Sequence, residues 1–152
     1  MLFSSLEHPE TPDVRALLLR HFELMRASSP EESCHVMAPD ALGQANVSLL
    51  GIRQNSKLLA VGALAKIGPQ EGELKSMHTA IEARGQGLAR KLLGALIEQG
   101  RSQGMARISL ETGSASIFAA ARGLYVSEGF SVCAPFGSYA EDPLSVFMTR
   151  LI

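Results

Sequence analysis

The chain has 152 residues, a length typical of one domain, with 46% hydrophobic and 19% charged residues. This composition excludes wholesale disorder, and a formal net charge of −1 provides no global positive field for nucleic acid or an anionic membrane. We therefore predict a single domain over residues 1–152, with no nucleic-acid partner and no membrane partner.

The N-terminal residues lack the basic and apolar segments of a secretory signal, so we expect a cytoplasmic protein. The cysteines, Cys34 and Cys133, are too few for a disulfide scaffold. Cys34 precedes His35, but no second Cys/His pair stands at the spacing of a zinc site. We therefore predict no bound metal.

The first half of the chain predicts one helix and several strands. Thr11-Pro12-Asp13 is a typical helix start, and apolar residues then recur at helical spacing to about Arg26. A loop with one short helix is expected over 28–46. Alternating or continuous apolar runs predict strands at 2–6, 47–53, 57–64 and 73–79.

The second half predicts alternating helices and strands. The clearest helix covers 87–103 and ends at Gly104, and a second helix begins at Ser114 or Ser116 and ends near Glu128. The remaining strands are predicted at 107–111, 130–134 and 145–151. This order indicates an α/β fold with a mixed sheet and helices on both faces.

A glycine-rich turn, Arg84-Gly85-Gln86-Gly87-Leu88-Ala89, lies between a predicted strand and the clearest helix. Glycines let the backbone approach a ligand closely, and a helix N-terminus carries partial positive charge, so the turn suits a phosphate. The turn is not a P-loop, and the third glycine of a dinucleotide fingerprint is replaced by Arg90.

The turn fits the pattern R/Q-x-x-G-x-G/A and resembles the pyrophosphate-binding motif of the GCN5-related N-acetyltransferases (GNAT family). Residues 73–79 (ELKSMHT) resemble that family's fourth strand, and the sequences ARGLY at 121–125 and EGF at 128–130 resemble its A…LY…GF signature. The resemblance covers about residues 72–132. It implies a mixed, mostly antiparallel sheet of about seven strands and acetyl transfer from acetyl-CoA to an amine.

The resemblance also implies where acetyl-CoA binds. In the family, the fourth and fifth strands splay apart beside a β-bulge, and the pantetheine arm pairs with the exposed backbone. The corresponding positions here are Met77, His78 and Thr79, although the His78 side chain is expected to form a structural hydrogen bond. The pyrophosphate would lie against the turn formed by Arg84, Gly85, Gln86, Gly87, Leu88, Ala89 and Arg90.

Three residues are candidates for proton transfer. The resemblance implies that Tyr125 protonates the leaving thiolate, and the alternative is that its ring only packs in the core. An ammonium must lose a proton before it attacks, and a carboxylate can accept that proton. Glu73, expected to open its strand, is the first candidate base. Its alternative role is a solvated carboxylate at the strand end. Glu111 is the second candidate, and its alternative role is structural, as an ion pair with Lys75 or a cap on Thr112-Gly113.

The acceptor contacts are the least specified part of the site. Segments 29–35 and 135–139 resemble a subgroup of small bacterial family members, and their candidate acceptor residues are Ser33, His35, Phe136 and Tyr139. An acyltransferase with another acyl group or acceptor, a non-catalytic acyl-CoA-binding module and a nucleotide site at the same turn remain alternatives. The resemblance also implies a homodimer, which pairs through 145–151 if that strand is an edge.

Overall fold

A computed structural model describes residues 2–152 of the chain. Its helices are α1 (Pro12–Ser28), α2 (Leu88–Ser102) and α3 (Ala119–Ser127). Its strands are β1 (Leu2–Leu6), β2 (Val47–Gln54), β3 (Lys57–Gly68), β4 (Glu71–Thr79), β5 (Arg107–Gly113), β6 (Ser131–Cys133) and β7 (Ser145–Leu151).

Within these residues the seven strands form one sheet in the order β1-β2-β3-β4-β5-β7-β6. Only the β4–β5 pair is parallel, and every other pair of neighbouring strands is antiparallel. The predicted α/β fold with a mixed, mostly antiparallel sheet of about seven strands is therefore confirmed.

The core lies on both faces of the central strand β3, in which every residue from Leu58 to Ala65 is buried. Helix α2 covers one face, and its Leu92 and Leu96 side chains lie against Gly62. A Cβ atom at Gly62 would come within 2.6 Å of the Met77 sulfur, so this close approach requires glycine. Helix α1 packs on β3 and β4 and contributes buried apolar side chains.

Strands β4 and β5 separate after a short paired segment. They pair only from Glu71 to Leu74 on β4, although both strands continue beyond that point. An extra residue in β4 creates a bulge opposite Gly62, where Ser76 adopts a φ of +56° and buries a hydroxyl without a hydrogen-bond partner. The sheet thus leaves a wedge-shaped opening beside a distorted strand.

Several sequence-based boundaries need correction. Glu73 is the third residue of β4 rather than the first, because the β3–β4 turn is short and pairing with β5 begins at Glu71. Helix α3 begins at Ala119, after a 3₁₀ turn over Ser116–Phe118. Segment 28–46 contains two 3₁₀ turns, Glu31–Ser33 and Pro39–Gly43, instead of one short helix.

The prediction that β7 forms an edge of the sheet is wrong. β6 pairs with the outer side of β7 through Phe147, Met148 and Thr149, so β7 lies between β5 and β6. The three-residue β6 is too short to reveal its position from sequence pattern alone. Among the helices of residues 2–152, none is long and apolar enough to cross a membrane.

Candidate active site

A cleft of about 1040 Å³ opens where β4 and β5 separate. Its walls come from α1 and the segment after it, the second half of β4, the glycine turn, the end of β5 and α3. Among the predicted site residues, the following line it: Ser33, His35, Glu73, Met77, His78, Thr79, Arg84, Gly85, Gly87, Leu88, Ala89, Arg90, Glu111, Tyr125 and Tyr139. Gln86 is exposed outside the lining, and Phe136 lies behind Tyr139.

The glycine turn has the backbone geometry of an anion-binding loop. Gly85 and Gly87 adopt φ angles of +79° and +74°, which other residues rarely adopt. A Cβ atom at either position would have no neighbour within 4 Å, so the requirement for glycine is conformational rather than steric. Helix α2 starts immediately after Gly87, and the first N–H groups of a helix lack intrahelical acceptors.

Two arginines flank this turn in different ways. Arg84 is exposed, and its Nε donates a hydrogen bond to the Thr79 carbonyl at 3.2 Å, which joins the turn to the end of β4. Arg90, in the first turn of α2, forms an ion pair with Glu128. Arg84 is therefore free to supply charge to a phosphate, whereas the charge of Arg90 is partly balanced.

Tyr125 projects from α3 into the core beside the cleft. Its side chain is buried, its ring packs edge-on against Phe130, and burial raises the pKa of its hydroxyl to about 12. The hydroxyl therefore stays protonated at neutral pH, the state that a proton donor requires.

Glu73 is held by two other side chains. The Tyr139 hydroxyl donates a hydrogen bond to Glu73 Oε2 at 2.5 Å, and Lys75 Nζ forms an ion pair with the same oxygen at 3.1 Å. Lys75 also donates to the Tyr139 hydroxyl at 3.1 Å. Lys75 thus forms its ion pair with Glu73 rather than with Glu111, although its charge also acts on Glu111.

Glu111 lies on β5, one residue beyond its last pairing with β4. The pKa of this carboxyl group is raised to about 7, chiefly by burial and in smaller part by the nearby carboxylates of Glu73 and Asp142. The Ser145 side chain and the charge of Lys75 oppose this shift. A substantial fraction of Glu111 is therefore ionised at neutral pH, with a basicity well above that of an ordinary glutamate.

The predicted acceptor residues meet across the cleft. The Ser33 hydroxyl donates a hydrogen bond to Asp142 Oδ2 at 2.6 Å, and the His35 ring packs edge-on against Tyr139 with centroids 5.0 Å apart. Phe136 contacts the opposite side of this cluster, 5.1 Å from the Tyr139 centroid. Sequence reasoning missed Asp142, which lies in the β6–β7 loop without a motif of its own.

A second missed feature is a histidine pair. His21 on α1 and His78 on β4 place their Nδ1 atoms 3.2 Å apart, so one ring donates a hydrogen bond to the other. Burial lowers the pKa of both rings to about 4. The neighbouring His78 also lowers the pKa of His21, and Arg84 and Arg20 also lower that of His78. Nothing in the sequence around His21 indicated this contact. Within residues 2–152 no group of three or more His, Cys, Asp or Glu side chains is arranged to hold a metal ion.

Comparison with known proteins places this geometry in a family. The profile of the Acetyltransferase (GNAT) family matches residues 11–130. The chain belongs to the GNAT family. It is thus an acyltransferase, as the sequence resemblance predicted.

Individual relatives agree with this assignment. The chain is 39% identical over 137 residues to YsnE of Bacillus subtilis (strain 168), an uncharacterized N-acetyltransferase, and the match covers 90% of this chain and 91% of the relative. A solved Klebsiella pneumoniae structure, provisionally assigned as an acyl-CoA N-acyltransferase, matches with a TM-score of 0.80 and 28% identity over 99% of this chain and 97% of that chain. A Bacillus subtilis acetyltransferase in complex with CoA matches with a TM-score of 0.74 and 18% identity over 100% and 99% of the two chains.

Proposed function

We propose that this protein transfers an acetyl group from acetyl-CoA to an amine, by direct attack within a complex that holds both substrates. The observation that carries the proposal is the separation of β4 and β5 directly beside the glycine turn that begins α2. One opening thus combines unpaired strand backbone with a phosphate-binding helix start. The CoA complex of the structurally similar Bacillus subtilis acetyltransferase supports this choice of donor.

The donor fits the cleft in an extended arrangement. The pantetheine arm would pair with the backbone of β4 from Met77 to Thr79, beyond the last β4–β5 pair. The pyrophosphate would bind the N–H groups from Gly85 to Arg90, with Arg84 adding charge. At the bulge around Ser76, a backbone N–H near Met77 would donate to the oxyanion that forms during attack.

Glu111 is the better candidate for the base, although Glu73 ranked first from sequence. Lys75 and Tyr139 both bind Glu73 Oε2, so this oxygen is already occupied by two partners within the protein. Burial raises the pKa of Glu111 to about 7, near the pH at which the reaction must run. Glu73 then acts in the acceptor pocket through its contacts with Lys75 and Tyr139.

The proposed reaction moves two protons and one acetyl group. Glu111 removes a proton from the ammonium, directly or through one water, and the neutral amine forms a bond to the thioester carbon. The tetrahedral intermediate collapses, the carbon–sulfur bond breaks, and Tyr125 protonates the CoA thiolate. Glu111 and Tyr125 then return to their starting states by exchange with solvent. The enzyme also contributes by holding the two reactants in contact.

The test is a turnover assay with acetyl-CoA and a panel of primary amines, in which released CoA thiol and the mass of the acetylated product are both measured. Replacing acetyl-CoA with longer acyl-CoA donors examines the acyl group. We expect CoA release that depends on the amine, with the acetylated amine as product. Binding of acetyl-CoA without release of CoA in the presence of any amine would instead indicate a non-catalytic module.

A further inference from the structure

Two separate segments meet above the acceptor end of the cleft. Residues 29–37 follow α1 and residues 134–144 connect β6 to β7, and we refer to them together as the acceptor roof. The hydrogen bond from Ser33 to Asp142, at 2.6 Å, joins the two segments, and the contact between His35 and Tyr139 adds a second junction. The gap between these segments is therefore bridged by side chains.

The acceptor roof also touches the floor of the cleft. Tyr139 reaches down from the roof to Glu73 on β4, with 2.5 Å between the Tyr139 hydroxyl and Glu73 Oε2. Lys75 lies two residues after Glu73 on the same face of β4, and its Nζ donates to Glu73 Oε2 and to the Tyr139 hydroxyl. This three-residue contact spans the cleft from the roof to β4.

These contacts limit what can be attached to the attacking amine. In a peptide or protein N-terminus the amine is followed at once by an extended chain, which needs a path out of the site. Here the two segments of the roof are joined at Ser33 and Asp142, and the roof is joined to β4 at Tyr139 and Glu73. We expect a compact amine to fit beside these contacts and a polypeptide to displace them.

The charges at the acceptor end of the cleft further limit which class of amine can bind there. Three carboxyl groups lie there: Glu73, Glu111 and Asp142, and hydrogen bonds from Ser33 and from the Leu144 N–H lower the pKa of Asp142. Glu73 and Glu111 line the cleft, and Asp142 lies beside it, bonded to Ser33. Two basic side chains accompany them: Lys75, which is already bound by Glu73, and His35, which lies near Asp142.

The other cations of the cleft lie elsewhere. Arg20 and Arg84 are close to His78, toward the donor end. An acceptor carboxylate would therefore lie near three carboxyl groups whose basic neighbours are Lys75, already bound by Glu73, and His35, at a cost in binding free energy.

On these grounds, and resting on the proposed function, we propose that the acceptor is a small primary amine without a carboxylate, which the bridged, acidic acceptor end selects over amino acids and peptides. Asp142 and Tyr139 are the residues that determine this specificity. Asp142 repels a carboxylate and holds the roof through Ser33, and Tyr139 joins the roof to β4.

Two matched sets of probes test the inference. The first is tyramine, tyrosine and a tripeptide that begins with tyrosine, and the second is isoamylamine, leucine and a tripeptide that begins with leucine. Within each set the side chain and amine are constant, and only the group on the adjacent carbon changes. We expect kcat/KM for the simple amine to exceed that for the other two by about tenfold or more, the effect of one unfavourable interaction of about 1.4 kcal/mol.

The outcomes separate this inference from the function on which it rests. If CoA is released but kcat/KM for the amino acid or the peptide equals that for the amine, the proposed acceptor class is wrong and the proposed acetyl transfer stands. If the enzyme binds acetyl-CoA and no probe in either set releases CoA, both fail for these acceptors.

Variants of the roof give a second, independent test. Asp142→Asn should shift the ratio of amine to amino-acid kcat/KM by about tenfold toward the amino acid, because one negative charge is removed. Ser33→Ala should instead favour the peptide, because it loosens the roof without changing its charge. Glu141→Gln is the matched control, since it removes the adjacent exposed carboxylate and should leave both ratios unchanged. Unchanged ratios in both Asp142→Asn and Ser33→Ala would overturn the inference.

Discussion

Glu73 and Glu111 lie on the same face of the adjacent parallel strands β4 and β5, and of these two carboxyl groups only Glu73 forms an ion pair within residues 2–152. Lys75 and Tyr139 both bind Glu73 Oε2, whereas burial disfavours the charged form of Glu111 and raises its pKa to about 7. Two carboxyl groups in one cleft therefore have different surroundings. We therefore expect Glu73 to shape the pocket and Glu111 to exchange protons.

The first prediction concerns the pH dependence of turnover. Because the pKa of Glu111 is about 7, kcat/KM should rise with pH through about 7 as the carboxylate is formed. Glu111→Gln should lower turnover by about 10²–10⁴-fold and remove this rise, apart from the recovery at high pH where free amine is abundant. Steady-state rates from pH 5 to 10 measure both effects.

Glu73→Gln is the matched comparison for that experiment. It should raise KM for the acceptor, because it weakens the contact with Tyr139, while the pH–rate profile keeps its rise near 7. Loss of the rise in Glu73→Gln with a normal profile in Glu111→Gln would reverse the two roles. If neither change alters the profile, the amine loses its proton to bulk water and the base assignment is wrong.

The second prediction concerns Tyr125. Tyr125→Phe keeps the ring and its packing against Phe130, so the fold and acetyl-CoA affinity should be retained. Turnover at saturating acceptor should fall by about 10²–10⁴-fold if proton donation to the thiolate limits the rate. An acyl donor whose leaving thiol has a lower pKa should recover part of the loss. Unchanged turnover would assign Tyr125 to packing alone.

The third prediction concerns the histidine pair. His21 has a pKa of about 4 in the folded protein, below its ordinary value of 6.5, so the unfolded chain binds more protons between these pH values. This contribution to stability is complete above about pH 6.5 and is lost as the pH falls toward 4, to a total of about 3 kcal/mol for His21.

Urea titrations at several pH values measure this loss. His21→Gln should show a flatter dependence of the free energy of unfolding on pH over this range than the wild type. His8→Gln is the control, because His8 is exposed and lies outside the His21–His78 pair. Equal slopes in the wild type and His21→Gln would show that His21 does not carry the effect.

The local parts of this architecture were predictable from the sequence. The glycine turn and α2 are specified by neighbouring residues, since glycines adopt positive φ and the apolar stripe of α2 repeats at helical spacing. β3 was likewise visible as an apolar run, although it extends to Gly68 rather than Leu64. Such features depend on residues close together in the chain.

The missed features all depend on contacts between distant residues. Tyr139 meets Glu73 across 66 positions, His21 meets His78 across 57, and Ser33 meets Asp142 across 109. No local pattern reports such contacts, so Glu73 ranked above Glu111 and His21 carried no signal. The position of β7 was wrong for the same reason, because the short β6 returns to pair with it.

The central claim is that acetyl-CoA occupies the opening between β4 and β5 with its pyrophosphate on the glycine turn. Isothermal titration of acetyl-CoA into three proteins tests it: the wild type, Gly87→Val and Gly94→Ala. Gly87 has a φ of +74°, which valine cannot adopt without strain, so the turn should lose its anion-binding geometry. Gly94 is an exposed glycine inside α2 with open space around its Cα, and alanine there should stabilise the helix by up to about 1 kcal/mol.

We predict one acetyl-CoA bound per chain in the wild type and in Gly94→Ala, and an affinity at least about 100-fold weaker in a folded Gly87→Val protein, which corresponds to about 2.7 kcal/mol. Circular dichroism on the same samples verifies the fold. Equal acetyl-CoA affinity in all three proteins would contradict the placement of the donor on this turn.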